Sequence, residues 1–359
     1  MTASPSITIA GRQIGADHSP YVICELSGNH NGSLERCLTM VDAAAATGCD
    51  AIKIQTYTAD TITLDVDRPE FRIHGGLWDG RTLYELYQEA QTPFEWHAAI
   101  FERARQHGVT LFSSPFDETA VDLLDGLGAP AFKIASFEAV DLPLIKYAAS
   151  KGKPLIISTG MANLQEMQTA LDTALGAGAD GVMLLHCVSS YPSTFADANV
   201  RTVADMAQRF GCPVGLSDHT PGTAASVAAV SVGACAVEKH FTLARSDGGP
   251  DAAFSLEPVE FKALVDDCRN AWAALGRAHY DTLGSEQASL LFRRSLYVTA
   301  DVKAGEPLTR ANVRSVRPAG YSLRRSCPCA LIEGAYSAAA AMARSARRSR
   351  AVRRSVSLL

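Results

Sequence analysis

AVEKHFT, residues Ala236 to Thr242, is the stretch on which the reading of the fold turns. Its lead-in, GACAV, is small and apolar, as a buried strand requires. It then ends on Glu238, Lys239 and His240. Three ionisable side chains do not finish a strand in a dry core, because burying an unpaired charge is costly. They stand at an open rim or they have partners. Alternation along a strand sends Glu238 and His240 to one face and Lys239 to the other.

The same pattern occurs seven times upstream. Strand candidates are YVICEL (21–26), AIKIQT (51–56), VTLFSS (109–114), AFKIAS (131–136), PLIIST (154–159), GVMLLHC (181–187) and PVGLSD (213–218), before ACAVEKH (234–240). Each ends polar: Glu25; Lys53 and Gln55; Ser113 and Ser114; Lys133 and Ser136; Ser158 and Thr159; His186 and Ser189; Ser217, Asp218 and His219. Helical periodicity fills 33–47, 92–107, 117–126, 141–150, 163–176, 198–210, 221–232 and 257–275, several opening on caps or prolines such as Ser33, Thr92-Pro93 and Asp141. Strict alternation of eight strands and eight helices, over a span near the ~250 residues such folds need, predicts a (β/α)8 TIM barrel. A doubly wound sheet is the alternative, but no glycine fingerprint follows the first strand. Barrel enzymes place their chemistry at the C-terminal ends of the strands. The eight polar ends therefore predict one concave rim.

Around the barrel (1–275) the chain adds other parts. Residues 56–91 exceed what a βα loop needs and carry aromatics and Gly-Gly and Asp-Gly turns, so a structured loop over the mouth is expected. A linker (276–290) leads to 291–323, where a strand, an Ala-Gly-Glu turn and a short helix suggest a small β-rich domain. From Arg324 to Leu359 the style changes: this Ala/Ser-rich tail has eight Arg and one Glu. Its net charge of +7 leaves −12 for the rest of a chain whose formal total is −5. The tail reads either as a basic interaction segment or as a frame-shifted end of the gene.

Composition is that of an ordinary globular protein, 47% apolar and 20% charged. No apolar run approaches the ~20 residues of a membrane helix, and no signal peptide is legible at the start. The expectation is a cytoplasmic protein with no membrane and no nucleic-acid partner, the body being acidic. The nine cysteines form no CxxC pair, which indicates neither a zinc knuckle nor a disulfide framework.

Lysines beside Ser, Thr and Gly (Ser158-Thr159-Gly160) suit an anionic substrate bearing phosphate or carboxylate. A lysine in a strand can equally be half of a salt bridge. His219 and His240, on neighbouring strand ends, are candidates for one divalent metal; the alternative is a pair of hydrogen-bonded structural histidines. His186 reads as structural, and Cys187 as a buried thiol rather than a ligand. A Schiff-base aldolase on Lys53, Lys133 or Lys239 is a second enzymatic reading, and a non-catalytic remnant with a damaged C-terminus a third.

Long, ordered motifs carry a family resemblance: CELSGNHNG (24–32), AIKIQTYTADTITLD (51–65), FSSPFDETAVDLL (112–124), FKIASFE (132–138), ISTGMA (157–162), LLHCVSSYP (184–192), GLSDHT (215–220) and EKHFTL (238–243). Over residues 20 to about 320 the chain resembles the sialic acid synthase family, which condenses phosphoenolpyruvate with an amino sugar. FRIHGGLWDGRTLYELYQEAQTP (71–93) and SDGGPDAAFSLEP (246–258) are more similar to the pseudaminic acid branch than to the N-acetylneuraminate or legionaminate branches. The resemblance implies that Lys53, Ser114, Lys133, Ser136, Ser158, Ser189 and Ser217 hold phosphoenolpyruvate, Ser189 standing where the family has Asn. It implies His219 and His240 as ligands of Mn2+ or Mg2+, and Glu25 as a general acid/base. Gln55, Glu138, Tyr191, Asp251 and Arg317 would contact the sugar, with Phe71, Trp78 and Tyr84 as aromatic candidates to favour a 6-deoxy, diacetamido sugar. The small domain would be an incomplete antifreeze-like (SAF) domain, in which Arg317 of VRPAGY serves a partner subunit within a homodimer.

Overall fold

The parallel strands of a closed barrel are buried on both faces, so they read as unbroken apolar runs rather than as alternation. That is what the eight runs do in the computed structural model, which describes residues 4–319. A hairpin comes first, β1 (Ser6–Ile9) with β2 (Arg12–Gly15). Then follow β3 (Tyr21–Glu25), β4 (Ala51–Thr56), β5 (Thr110–Pro115), β6 (Phe132–Ile134), β7 (Leu155–Ser158), β8 (Val182–Cys187), β9 (Val214–Asp218) and β10 (Ala236–His240). Each pairs in parallel with the next, and β10 returns to β3, closing the barrel.

The helices between them are α1 (Leu34–Ala46), the short α2 (Ala59–Ile62), α3 (Leu83–Ala90), α4 (His97–Gln106), α5 (Glu118–Gly126), α6 (Leu142–Ala149), α7 (Leu164–Gly176), α8 (Thr202–Phe210), α9 (Ala224–Ser231) and α10 (Pro258–Leu275). Caps set their starts. Ser33 accepts from the Arg36 amide, Asp141 from Leu144, and Asn163 forms a reciprocal box with Glu166. Three helices start later than the sequence suggested, α9 among them, at Ala224 rather than 221. Pro93 opens a 3-10 turn (Phe94–Trp96), so α4 begins only at His97. Asn199 takes φ of 41°, a left-handed conformation that a helix cannot contain, so α8 begins at Thr202.

The hairpin was not foreseen. Ile7, Ile9 and Ile14 join Tyr21, Ile23, Phe112, Ile156 and Met183 in one apolar cluster inside the N-terminal end of the barrel. The hairpin thus stoppers that end. The loop expected at 56–91 is structured: it carries α2, two 3-10 turns (Pro69–Phe71 and Gly76–Trp78), α3, and a bridge between Arg72 and Thr82.

The described residues fall into two compact units that divide after Gly276. The second contains a 3-10 turn, Gly284–Phe292, and an antiparallel pair, β11 (Ser295–Val298) with β12 (Val313–Val316). The short helix expected between them is absent among the described residues. There the Asn312 side chain accepts from the Thr309 amide and donates to the Pro307 carbonyl, holding a turn instead. The Arg-rich tail lies outside the described residues.

Candidate active site

Strand alternation brings Glu25, Lys53, Gln55, Ser114, Lys133, Ser158, Ser217 and Glu238 to the inner face. Glu25 is level with Lys53 on one side and His240 on the other; Ser217 is level with Glu238. At the centre lie two ammonium groups and two carboxylates. Lys53 Nζ is 2.6 Å from Glu25 Oε2 and 3.6 Å from Glu238 Oε1, and Lys133 Nζ is 3.3 Å from the same Glu238 oxygen. Ser217 Oγ donates to Glu238 Oε1, Lys53 to Ser114 Oγ, and Gln55 Nε2 to Glu25 Oε1. The charged four are at most 4% exposed. Glu238 is the hub, and the sequence analysis placed it on the rim without giving it a role. Its alternation with His240 was the available signal.

Burial and charge compete in this cluster. Burial alone would depress Lys53, but Glu238 and Glu25 outweigh it and hold the ammonium above its ordinary value. For Lys133 burial prevails, and its pKa falls despite Glu238. Burial would raise Glu238, but Lys133 and Lys53 keep it low. Burial raises Glu25 against the pull of Lys53. Lys239 is on the other face, as alternation requires: its Nζ lies 2.8 Å from Asp218 Oδ2, which also accepts from Ser226. The rim therefore loses Lys239 and Asp218.

Ser136 and Ser189 flank Gly160. The Gly160 amide donates to Ser136 Oγ, and a Cβ at Gly160 would collide with both hydroxyls. The Ser158 hydroxyl is buried without a hydrogen-bond partner. Amide, hydroxyls and lysines together can receive the oxygens of an anion.

Beyond this cluster stand His219 and His240, ring centroids 5.3 Å apart. His219 Nδ1 donates to the Val188 carbonyl, which leaves Nε2 as the ligating nitrogen. His240 Nδ1 is buried without a hydrogen bond, 3.7 Å from Asp251 Oδ2. Burial, and then His219 and the nearby lysines, keep His240 neutral, far below the ordinary histidine value. Asp251 is hydrogen-bonded to Ser27 Oγ, and its amide to Asn29. Among the described residues no three His, Cys, Asp or Glu side chains form a closed metal cage. Unlike that of His240, the pKa of His219 is held above the ordinary histidine value, Cys187 outweighing its burial, so a cation would have to displace its proton. The two imidazoles, one with an orphaned nitrogen, suit an ion whose remaining ligands come from substrate or water.

An aromatic wall borders the histidines. Tyr191 lies 4.5 Å from His219, Phe254 5.0 Å from His240, and Trp78 5.9 Å from Tyr191. Trp78 and Phe254 are further residues the sequence analysis had not placed beside the histidines. Glu138, in the 3-10 turn after β6, has a buried Oε2 without a partner, and burial pushes its pKa up to about 7. His186 Nε2 donates to the Ala198 carbonyl, a structural role. Arg317 is exposed, in the second unit. No helix among the described residues is long and apolar enough to cross a membrane.

Comparison with known proteins follows the same lines. The chain is 45% identical to the pseudaminic acid synthase of Campylobacter jejuni, over 85% of this chain and 90% of that one. It is 36% identical to the N,N'-diacetyllegionaminic acid synthase of Legionella pneumophila, over 85% and 87%. The crystal structure of N-acetylneuraminic acid synthetase from Leptospira borgpetersenii superposes with a TM-score of 0.71 at 30% identity, covering 80% of this chain and 95% of that one. The NeuB family profile matches residues 40–280, and the chain belongs to that family.

Proposed function

We propose that the chain is a pseudaminic acid synthase, condensing phosphoenolpyruvate, 2,4-diacetamido-2,4,6-trideoxy-L-altrose and water to pseudaminic acid and phosphate. The observation that carries the reading is the buried Lys53–Glu25–Glu238–Lys133 cluster beside the His219–His240 pair, together with 45% identity to a pseudaminic acid synthase against 36% to a legionaminic one.

Lys53, Lys133, Ser114, Ser136, Ser158, Ser189 and Ser217 hold the phosphate and carboxylate of phosphoenolpyruvate. The enol carbon attacks the sugar aldehyde, water adds to the neighbouring carbon, and the carbon–oxygen bond to phosphate breaks. Lys53 and Lys133 offset negative charge as it moves onto the departing phosphate. His219 and His240 would hold a divalent cation, Mn2+ or Mg2+, which when bound supplies Lewis-acid polarisation of the aldehyde. Glu25 Oε2 pairs with Lys53 as an ionised carboxylate; an arriving phosphate competes for Lys53 and raises the proton affinity of that oxygen, so Glu25 takes a proton from the adding water and gives it to the new hydroxyl. Gln55, Glu138, Tyr191 and Asp251 orient the sugar, and pairing both substrates in one barrel lowers the entropic barrier. The β11–β12 unit reads as an antifreeze-like domain whose Arg317 reaches sugar across a homodimer.

The test is phosphate release from phosphoenolpyruvate, with and without EDTA, offering the altrose sugar, its legionaminate-series isomer and N-acetylmannosamine in parallel. Cation-dependent release with the altrose sugar alone is expected. Release only with another sugar discards the branch, and release with none discards the activity.

A further inference from the structure

Trp78 belongs to the long loop 57–91, far in sequence from every catalytic strand, yet it stands at the mouth. Its indole Nε1 donates to the Pro250 carbonyl at 2.9 Å, next to Asp251. Its ring lies against Tyr191, which lies against both His219 and Phe254. The wall therefore runs outward from the histidines, where the reacting aldehyde would be, toward atoms several bonds from it.

What the wall lacks is a free polar atom. The Trp78 N–H is taken by Pro250, the Tyr191 hydroxyl interacts with Ser189, and Phe254 has no polar atom. A hydroxyl pressed against these rings would lose its water and gain no partner, whereas a methyl would lose nothing. Tyr84 is not part of the wall, because its hydroxyl is turned to Asp60 in an exposed setting.

We infer that Trp78, with Tyr191 and Phe254, is the specificity-determining surface for a deoxy carbon of the sugar: the ring wall takes the C6 methyl and rejects a C6 hydroxyl. This rests on the proposed condensation for the identity of the sugar, but not for its binding. Contacts to a non-reacting carbon orient the reacting one, so their loss reduces turnover as well as affinity.

Two measurements test it on the full chain. The first is a titration of intrinsic tryptophan fluorescence with the 6-deoxy sugar alone and with its matched 6-hydroxy analogue, 2,4-diacetamido-2,4-dideoxy-L-altrose. Trp96 packs on His30 and Trp272 bonds Ala16, so a site-linked change reports Trp78. A saturable change with the 6-deoxy sugar, at an affinity about tenfold tighter than with the analogue and absent in Trp78→Phe, is expected. No change in the wild type overturns the proposal whether or not phosphate is released. A change without any phosphate release upholds the wall and refutes the synthase reading. The second compares kcat/KM for the two sugars in wild type, Trp78→Phe and Trp78→Ala. The preference should survive in Trp78→Phe, fall about tenfold in Trp78→Ala, and leave the KM for phosphoenolpyruvate unmoved. An unaltered preference in Trp78→Ala overturns it. Should Trp78→Ala not fold, Phe254→Leu takes its place with the same expectations.

Discussion

Glu238 Oε1 faces two ammonium groups and a serine hydroxyl at once, so its charge holds Lys53 and Lys133 in the barrel. Glu238→Gln removes that charge and leaves two buried cations sharing Glu25. Truncating one side of a buried ion cluster costs about 3–5 kcal/mol, and denaturant unfolding should show a loss of that order. Phosphoenolpyruvate brings back negative charge, so it should raise the melting temperature of the variant more than that of the wild type. Glu138 gives a pH prediction. Its folded pKa of about 7 lies above the ordinary 4.5, so the fold prefers the protonated acid. Below pH 4.5 both states are protonated and the group contributes nothing. As pH rises toward 7 the unfolded chain ionises first, and folding carries a penalty that is complete above 7, at most on the order of 3 kcal/mol. Glu138→Gln should therefore be more stable than wild type at pH 8 and equal to it near pH 4, read from paired thermal melts. At this scale the sequence was most legible where alternation along a strand decides which way a side chain points. It was least legible for Phe254 and Ser27, whose places depend on how loops fold back and leave no periodic trace; Trp78 was named for the sugar only through the family resemblance.

The eight barrel strands were legible because each is a short apolar run that must be buried on both faces. The hairpin was not. Its strands are four residues each, with exposed residues between the buried isoleucines, and nothing local distinguishes SITI and RQIG from a loop. Only the tertiary fit of Ile7, Ile9 and Ile14 into the barrel end makes them strands. Ile9 is fully buried, so Ile9→Ala should cost about 2–5 kcal/mol through lost transfer energy and a cavity. Global unfolding of the barrel, rather than local fraying of the first residues, would then respond; amide exchange in β3 and β10 distinguishes the two. The late starts of α4 and α8 have the same kind of cause, a local φ preference at Pro93 or Asn199 that periodicity alone does not display.

At the scale of the molecule, the chain changes character after Gly276. Leu283 is half exposed and Tyr280 almost wholly so, in a segment where few side chains are buried. Brief digestion with chymotrypsin should cut at these residues and leave a fragment of about 280 residues, measured by mass, that still melts cooperatively. If Arg317 serves the sugar, the cut protein should keep its affinity for phosphoenolpyruvate and lose affinity for the sugar. The charge contrast between an acidic body and a basic end was plain in the composition, but composition does not say what such an end folds into.

The hairpin has one more consequence, for traffic. With the N-terminal end stoppered by Ile7, Ile9 and Ile14, everything enters and leaves through the loop end. Glu238, which anchors the lysines, and Ser217, which bonds Glu238, precede His240 and His219 by two residues, so the proposed anion seat lies one pleat repeat, roughly 7 Å, beneath the histidines. A sugar seated first would cork the well above an empty anion seat. If the lysines seat the phosphate and the histidines the sugar, as proposed, the barrel imposes a queue: the phosphorylated substrate enters before the sugar, and the phosphate leaves only after the product above it has gone.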